Sequence, residues 1–296
     1  MFLKVRETFW KKIGKIKFSI SHNRDKFLRK LFLPFETLKY ASIAPPKKQY
    51  FWIVSCERNL GEAAIKCIES VYKQKYARGF IKHLFIDDAS TDNTDRLISK
   101  WLEKHPDHNV EYISNKVRAG GTANTIRGFR MAPPDSIVLE VNGDDWLPDN
   151  DLLDFLNKVY DDPNIWMTYN TFMYSDGRSP EFNHPYPRKV VESGDYRRYE
   201  KWVGQHLHSF RKKLFSHLKE ETFIDPQTGK YWESADDQAI YLSMLELAGK
   251  HAKHIYRTTY IYNYHESADN RLDHAGSVDR AARIRQMNKY SPLDCL

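Results

Sequence analysis

The sequence predicts an α/β domain with a mostly parallel central sheet flanked by helices. Three observations predict it. Short apolar runs alternate with stretches of helical spacing, acidic residues gather just after the apolar runs, and a Pro-Pro break separates this pattern from a basic leading segment. Alternation of this kind is what parallel βαβ units produce under the right-handed crossover rule. At 296 residues, with 41% hydrophobic and 29% charged side chains, the chain can bury a sizeable core.

The leading segment comes first. Residues 1–48 hold 13 Lys and Arg against 3 acids, a net of +10, while the remaining 248 hold 33 basic against 36 acidic residues, a net of −3. The overall charge of +7 therefore belongs to the arm and not to the body. A nucleic-acid-binding domain would place its basic residues on the folded face, so no nucleic-acid partner is expected. Residues 27–35 interleave Phe and Leu with Arg and Lys, as a helix resting on an anionic membrane surface would. An accessory helix packed on the domain explains the same pattern, and Pro34 interrupts any long helix. The first thirty residues lack an apolar run of signal-peptide length, and the longest apolar run, residues 50–56, is far too short to span a bilayer. The expected location is cytoplasmic, at a membrane face if the arm docks there.

Ala44-Pro45-Pro46-Lys47-Lys48 reads as the boundary between arm and domain. Residues 50–55 form an apolar, β-branched and aromatic run, the mark of a buried strand. Residues 60–74 follow with Ala64, Ile65, Ile68 and Val71 on one helical face. Residues 83–86 read as a second strand, and Leu97, Ile98, Trp101 and Leu102 mark a helix over Thr94–Lys104. Val110–Ser114 and residues 136–141 are further strands, and residues 239–248 a late helix. The domain is expected over 49–270, as a nucleotide-binding half (49–150) and an acceptor half (151–270), followed by a tail (271–296). Cys56, Cys67 and Cys295 are odd in number and have no CxxC spacing, which speaks for a reducing compartment and against a disulfide framework or zinc site.

Three acidic clusters carry the chemistry. Asp87-Asp88-Ala89-Ser90-Thr91-Asp92 follows a strand, where a carboxylate can accept from a nucleobase or ribose. Ser90 to Asp92 read more simply as helix capping, whereas Asp88 reads as a ligand-binding carboxylate. Asn142-Gly143-Asp144-Asp145 ends another strand. Adjacent carboxylates repel unless a cation offsets them, and Mg²⁺ or Mn²⁺ takes one or two carboxylates plus phosphate oxygens. Glu233-Ser234-Ala235-Asp236-Asp237-Gln238 opens the late helix, where a carboxylate serves equally as a cap or as a general base. In open parallel sheets ligands bind beyond the carboxyl ends of the strands, which is where the first two clusters fall.

Residues from about 49 to 150 resemble the family 2 glycosyltransferases, which share the GT-A fold. The resemblance rests on Ile53-Val54-Ser55-Cys56-Glu57-Arg58-Asn59, Ser70-Val71-Tyr72-Lys73-Gln74, Asp87 to Asp92, residues 115–128 and Asn142-Gly143-Asp144-Asp145, in that order. The second half resembles a bacterial and viral subset through residues 206–211, Met244-Leu245-Glu246-Leu247-Ala248-Gly249 and Tyr260-Ile261-Tyr262-Asn263. The resemblance implies inverting transfer from a nucleotide diphosphate sugar to a hydroxyl on a glycan or lipid-linked acceptor, with Mn²⁺ or Mg²⁺ as cofactor. It implies that Asp88 holds the nucleobase, that Cys56, Glu57 and Asn59 lie beside the nucleotide, and that Asp145 ligates the metal with Asp144 near ribose or metal. Asn142 stands where the family often has an acid. Asp237 matches the catalytic base, with Asp236 the alternative by one residue of register. His265 resembles the late metal-binding His of some GT-A enzymes, and His206 falls on the acceptor side. Arg118 and Lys116 serve as phosphate or base contacts or as solvated charges; Trp202, Tyr231 and Trp232 as acceptor-stacking rings or core. A nucleotidyltransferase is the enzymatic rival, but residues 55–59 lack its Gly-rich basic triphosphate loop. The other rival is a binding protein that keeps the fold without the chemistry.

Overall fold

The structure, a computed structural model, describes residues 47–264 and 274–296. Its centre is a seven-stranded sheet in the order β3-β2-β1-β4-β6-β5-β9. The strands are β1 (Phe51–Glu57), β2 (Ile81–Asp87), β3 (Val110–Ser114), β4 (Ile137–Glu140), β5 (Met167–Tyr174), β6 (His208–Arg211) and β9 (Ala252–Tyr262). All run parallel except β6, which is antiparallel to both β4 and β5. A small hairpin, β7 (Ile224–Asp225) with β8 (Lys230–Tyr231), stands apart.

Side chains on a strand alternate between faces, and here both faces are covered, so the inner strands read as continuous apolar runs. Phe51, Ile53, Phe85 and Leu139 face α1 (Glu62–Tyr72), α2 (Thr94–Lys104) and α4 (Leu152–Val159). Trp52, Val54, Leu84 and Val138 face α3 (Gly121–Met131) and α7 (Asp236–Ala248). Helix α3 lies unusually close to the sheet. A Cβ on Gly128 would come within 2.4 Å of Val54 Cγ1, and the Trp52 indole donates to the Gly128 carbonyl at 3.0 Å. Glycine inside a helix costs about 1 kcal/mol relative to alanine, and close approach is what that loss obtains here.

Residues 274–296 pack on the domain. Helix α8 (His274–Gln286) lies against α7, and Ile284 is fully buried. A buried ion pair, Arg197 to Glu246 at 2.8 Å, holds the junction; Arg197 also donates to the Ile284 carbonyl and to Ser243, and Glu246 accepts from the Tyr290 N–H. The helices α5 (Arg188–Ser193) and α6 (Lys212–Phe215) are short connections.

The strands and the first two helices of the first half follow the sequence pattern within a few residues, whereas helix α3 is not marked by it. The second half departs from it. Strands β5 and β6 had no clear periodicity in the sequence, and the reversal of chain direction at β6 has no local signature. Cys56, Cys67 and Cys295 are free thiols, and among the described residues no helix is long and apolar enough to cross a membrane. The basic arm lies outside the described residues apart from Lys47 and Lys48.

Candidate active site

Asp88, just past the end of β2, is 4% exposed. Its carboxylate accepts from the Ala119 N–H at 2.7 Å, the Gly120 N–H at 2.9 Å and the Asn115 amide at 3.0 Å. Burial works to raise its pKa, but the donors from Ala119, Asn124, Asn115 and Gly120 outweigh it and hold the carboxyl below its usual range. Three of those donors lie within 3.0 Å, and an ionised carboxylate offers about four acceptor positions, so one more donor can be received. Arg118 Nε lies 3.9 Å from Asp88 with its side chain largely in solvent, and Lys116 is exposed beside it. The loop that opens α3 is thus folded around Asp88.

The turn after β1 is stitched to the turn after β2. The Asn59 N–H donates to Ser90 Oγ at 2.9 Å, and Asn59 Oδ1 accepts from the Thr91 N–H at 2.8 Å. Arg58 donates to the Ala89 carbonyl at 3.2 Å. Ser90 bonds Asp87 and Asp92 accepts from the Thr94 N–H, so these residues close the turn ahead of α2. The Cys56 thiol points to α3, bonding Thr125 Oγ1 at 3.0 Å, and burial pushes its pKa up. Glu57 is half-buried and its Cβ abuts Gly143, where an added Cβ would come within 2.9 Å of it. Asn59 therefore joins the two turns, and the Cys56 side chain is committed to α3.

The Asn142 to Asp145 turn ends β4. Asp145 is fully buried, and both oxygens are occupied: Tyr260 OH donates at 2.6 Å and the Asn263 N–H at 2.6 Å. Burial, then the Asp144 charge, raises its pKa, against those two donors. Asp144 is 8% exposed. Asp145 thus anchors β9 through one hydrogen bond on each oxygen, and Asp144 precedes it in the same turn. Among the described residues no three His, Cys, Asp or Glu side chains form a ready-made cage. Mg²⁺ and Mn²⁺ need none, since one carboxylate with phosphate oxygens and water suffices. His265 lies outside the described residues.

Asp237 sits in the first turn of α7, with Trp202 Nε1 donating to Oδ2 at 3.0 Å. Tyr241, one turn on, donates to Glu140 at 2.5 Å, so the helix is tied to the end of β4 close to Asp144. Glu140, which also accepts from Thr125 at 3.3 Å, is pushed up to about 7 by burial and by the charges of Asp236 and Asp237, against its hydrogen bonds from Tyr241 and Thr125. Sequence reasoning passed over Glu140; its signal was a lone acid in the strand Ile137–Glu140. His206 stacks on Tyr260 (4.8 Å, 13°) and is held neutral by burial, its pKa down to about 4. Trp202 also lies near-parallel to His208 at 6.3 Å. Trp232 does not belong to this wall. It is 1% exposed, its indole donates to the Thr222 carbonyl at 3.1 Å, and it packs in the core, so stacking on an acceptor is closed to it. Tyr231 is half-buried and donates to Glu220.

Asn59, Ala89 and Ala235 have φ of 58°, and among the described residues they are the only non-glycines with positive φ. They fall in the turn after β1, the turn after β2 and the turn before α7. Left-handed backbone costs on the order of 1–3 kcal/mol per residue and collects at functional sites, where the surroundings over-determine it.

Residues 52–219 match the sequence model of the family described as Glycosyl transferase family 2. Among solved structures, TarS of S. aureus aligns over 73% of this chain and 37% of its own, at 17% identity and a TM-score of 0.54. Its residues 1–349 in complex with UDP-GlcNAc align over 74% of this chain and 60% of that one, at 16% and 0.56. The mannosyltransferase PcManGT of Pyrobaculum calidifontis, in complex with GDP-Man and Mn²⁺, aligns over 82% and 66%, at 17% and 0.52. At such identities the likeness is one of fold, the GT-A fold, and this chain spans 37% and 60% of the two TarS chains, less than two thirds of either. No protein of curated function matches the sequence significantly.

Proposed function

Because the chain belongs to glycosyl transferase family 2, a family of enzymes that move sugars from nucleotide sugars, we propose that it is an inverting, metal-dependent transferase with Asp237 as its general base. The observation that carries this reading is one of placement. Asp88, Asp144 and Asp237 come from three separate segments, and the strands and hydrogen bonds that hold them bring all three to the C-terminal edge of the parallel strands.

In this reading Asp88 receives a donor N–H or O–H of the nucleoside with its remaining acceptor position. The turn after β1, with Glu57 and Asn59, walls the nucleotide, and Arg118 lies within reach of its phosphates. Asp144 holds the cation, with Asp145 beside it as the anchor of β9. When bound, Mg²⁺ or Mn²⁺ supplies charge neutralisation to the diphosphate leaving group. Asp237 takes the proton of an acceptor hydroxyl as that oxygen attacks the anomeric carbon from the face opposite the diphosphate. The Trp202 indole and the Gln238 N–H fix the carboxylate's orientation, one on each oxygen. His206, neutral and stacked on Tyr260, forms part of the acceptor wall. The acceptor class is a glycan or a lipid-linked sugar.

The +10 charge of residues 1–48, with their Phe and Leu side chains, supports docking on an anionic membrane surface. Three unpaired thiols suit a cytoplasmic location.

Incubation with a panel of nucleotide diphosphate sugars tests the function. Slow donor hydrolysis that stops in EDTA and returns with Mn²⁺ or Mg²⁺ is expected. Full activity under thorough chelation would end the metal-dependent reading, and binding of donors with no turnover under any condition would favour the non-catalytic one.

A further inference from the structure

A second concave site lies at the opposite edge of the sheet. A cavity of about 420 Å³ is lined by Arg130, Lys212, Lys213, His217, Pro134 and Leu296, among others. Lys212 directly follows β6, its N–H donates to the Ser136 carbonyl at 3.0 Å, and Arg211 pairs with Ile137, the first residue of β4. This is the edge where β4 begins, whereas Asp144 follows its end.

Lys212 is the unusual member. It is 9% exposed, its ammonium donates to Ser216 Oγ at 3.2 Å and lies 5.0 Å from the Phe215 ring centre, and no carboxylate among the described residues pairs with it. Its neighbours are matched differently. Lys213 reaches Asp135 at 3.0 Å and Arg130 reaches Glu220, but those carboxylates are 87% and 54% exposed and do not line the cavity. A buried ammonium without an anion is costly, and burial together with Arg130 pushes the Lys212 pKa down. A bound anion would offset both effects.

We propose that this cavity binds a phosphate group, at a site separate from the sugar-donor site. Lysine meets phosphate as a point charge and arginine as a two-pronged donor, and the volume suits a small phosphate ester. The phosphate comes from a free ester or from a lipid headgroup. The second source fits the chain's path: the Ile137 N–H donates to the Tyr50 carbonyl at 2.8 Å, so the basic leading segment joins the domain at this same edge.

Calorimetric titration with inorganic phosphate and with glycerol 3-phosphate tests the site, at constant ionic strength, in EDTA, with chloride as control. Saturable binding is expected, weakened about tenfold or more in Lys212→Gln, as loss of a charged hydrogen bond predicts, and unchanged in Asp144→Asn. If Lys212→Gln does not fold, the double variant Lys213→Gln/His217→Gln, expected to bind several-fold more weakly, decides instead. Absence of saturable binding, or equal affinity in the deciding variant, overturns the proposal. Vesicles of phosphatidylcholine with and without phosphatidate separate the two sources. Phosphatidate-dependent retention that weakens in the deciding variant assigns a headgroup, and glycerol 3-phosphate binding without retention assigns a free ester.

Discussion

In the first half of the molecule Asp88 is held mainly by backbone: two of its three close donors are the N–H groups of Ala119 and Gly120, in the loop of the next βα unit. The carboxylates at the end of β4 and the start of α7 are instead reached by side chains from far along the chain. Trp202 reaches Asp237 across 35 residues, Tyr241 reaches Glu140 across 101, and Tyr260 reaches Asp145 across 115. Backbone donors exist whatever the loop's side chains are, so the first arrangement tolerates sequence change. The second depends on particular rings and hydroxyls in register, and single substitutions should disturb it more.

The largest effect expected to sharpen that contrast is at the base. Asp237→Asn should lower transfer by about 10²–10⁴-fold, the usual range for general base catalysis, while nucleotide-sugar affinity stays unchanged in calorimetry. Asp236→Asn should be much milder. A dead Asp236→Asn beside an active Asp237→Asn would move the base by one residue; near-normal rates in both would place it elsewhere.

Next comes the adjacent pair after β4. Asp144→Asn should weaken nucleotide binding chiefly when Mn²⁺ is present and leave thermal stability near wild type. Asp145→Asn should instead lower stability, by about 1–3 kcal/mol, because Tyr260 and the Asn263 N–H lose the buried carboxyl that receives both. Denaturant unfolding and metal-dependent nucleotide titration on the two variants separate an ion-holding residue from an anchor. Reversed phenotypes would restore Asp145 as the principal ligand.

The smallest effect concerns Glu140, the tie between the halves. Its folded pKa of about 7 lies above the ordinary glutamate value of 4.5, so between those values the folded state binds more protons than the unfolded. The stability it contributes is fully present below about pH 4.5 and is lost as pH rises to about 7. Glu140→Gln should therefore flatten the fall of Tm with pH across that window. An unchanged slope would show that Asp236, Asp237 or another group sets it.

The sequence by itself determined the α/β class, the first four strands and the first two helices, and the placing of Asp88, Asp144 and Asp145 at strand ends. Each rests on local periodicity or on a turn next to an apolar run, and such signals survive in one dimension because strand and helix repeats are short. It also marked Asp237 at a helix start. The tertiary structure alone decided that β6 runs against its neighbours, that Asp145 is committed to Tyr260 and Asn263, that Trp232 is core while Trp202 faces Asp237, and that Glu140 joins β4 to α7. Those outcomes turn on which side chains meet across 35 to 115 residues. Tryptophan in a core and tryptophan beside a carboxylate look alike in sequence, because burial is a property of what packs against the ring.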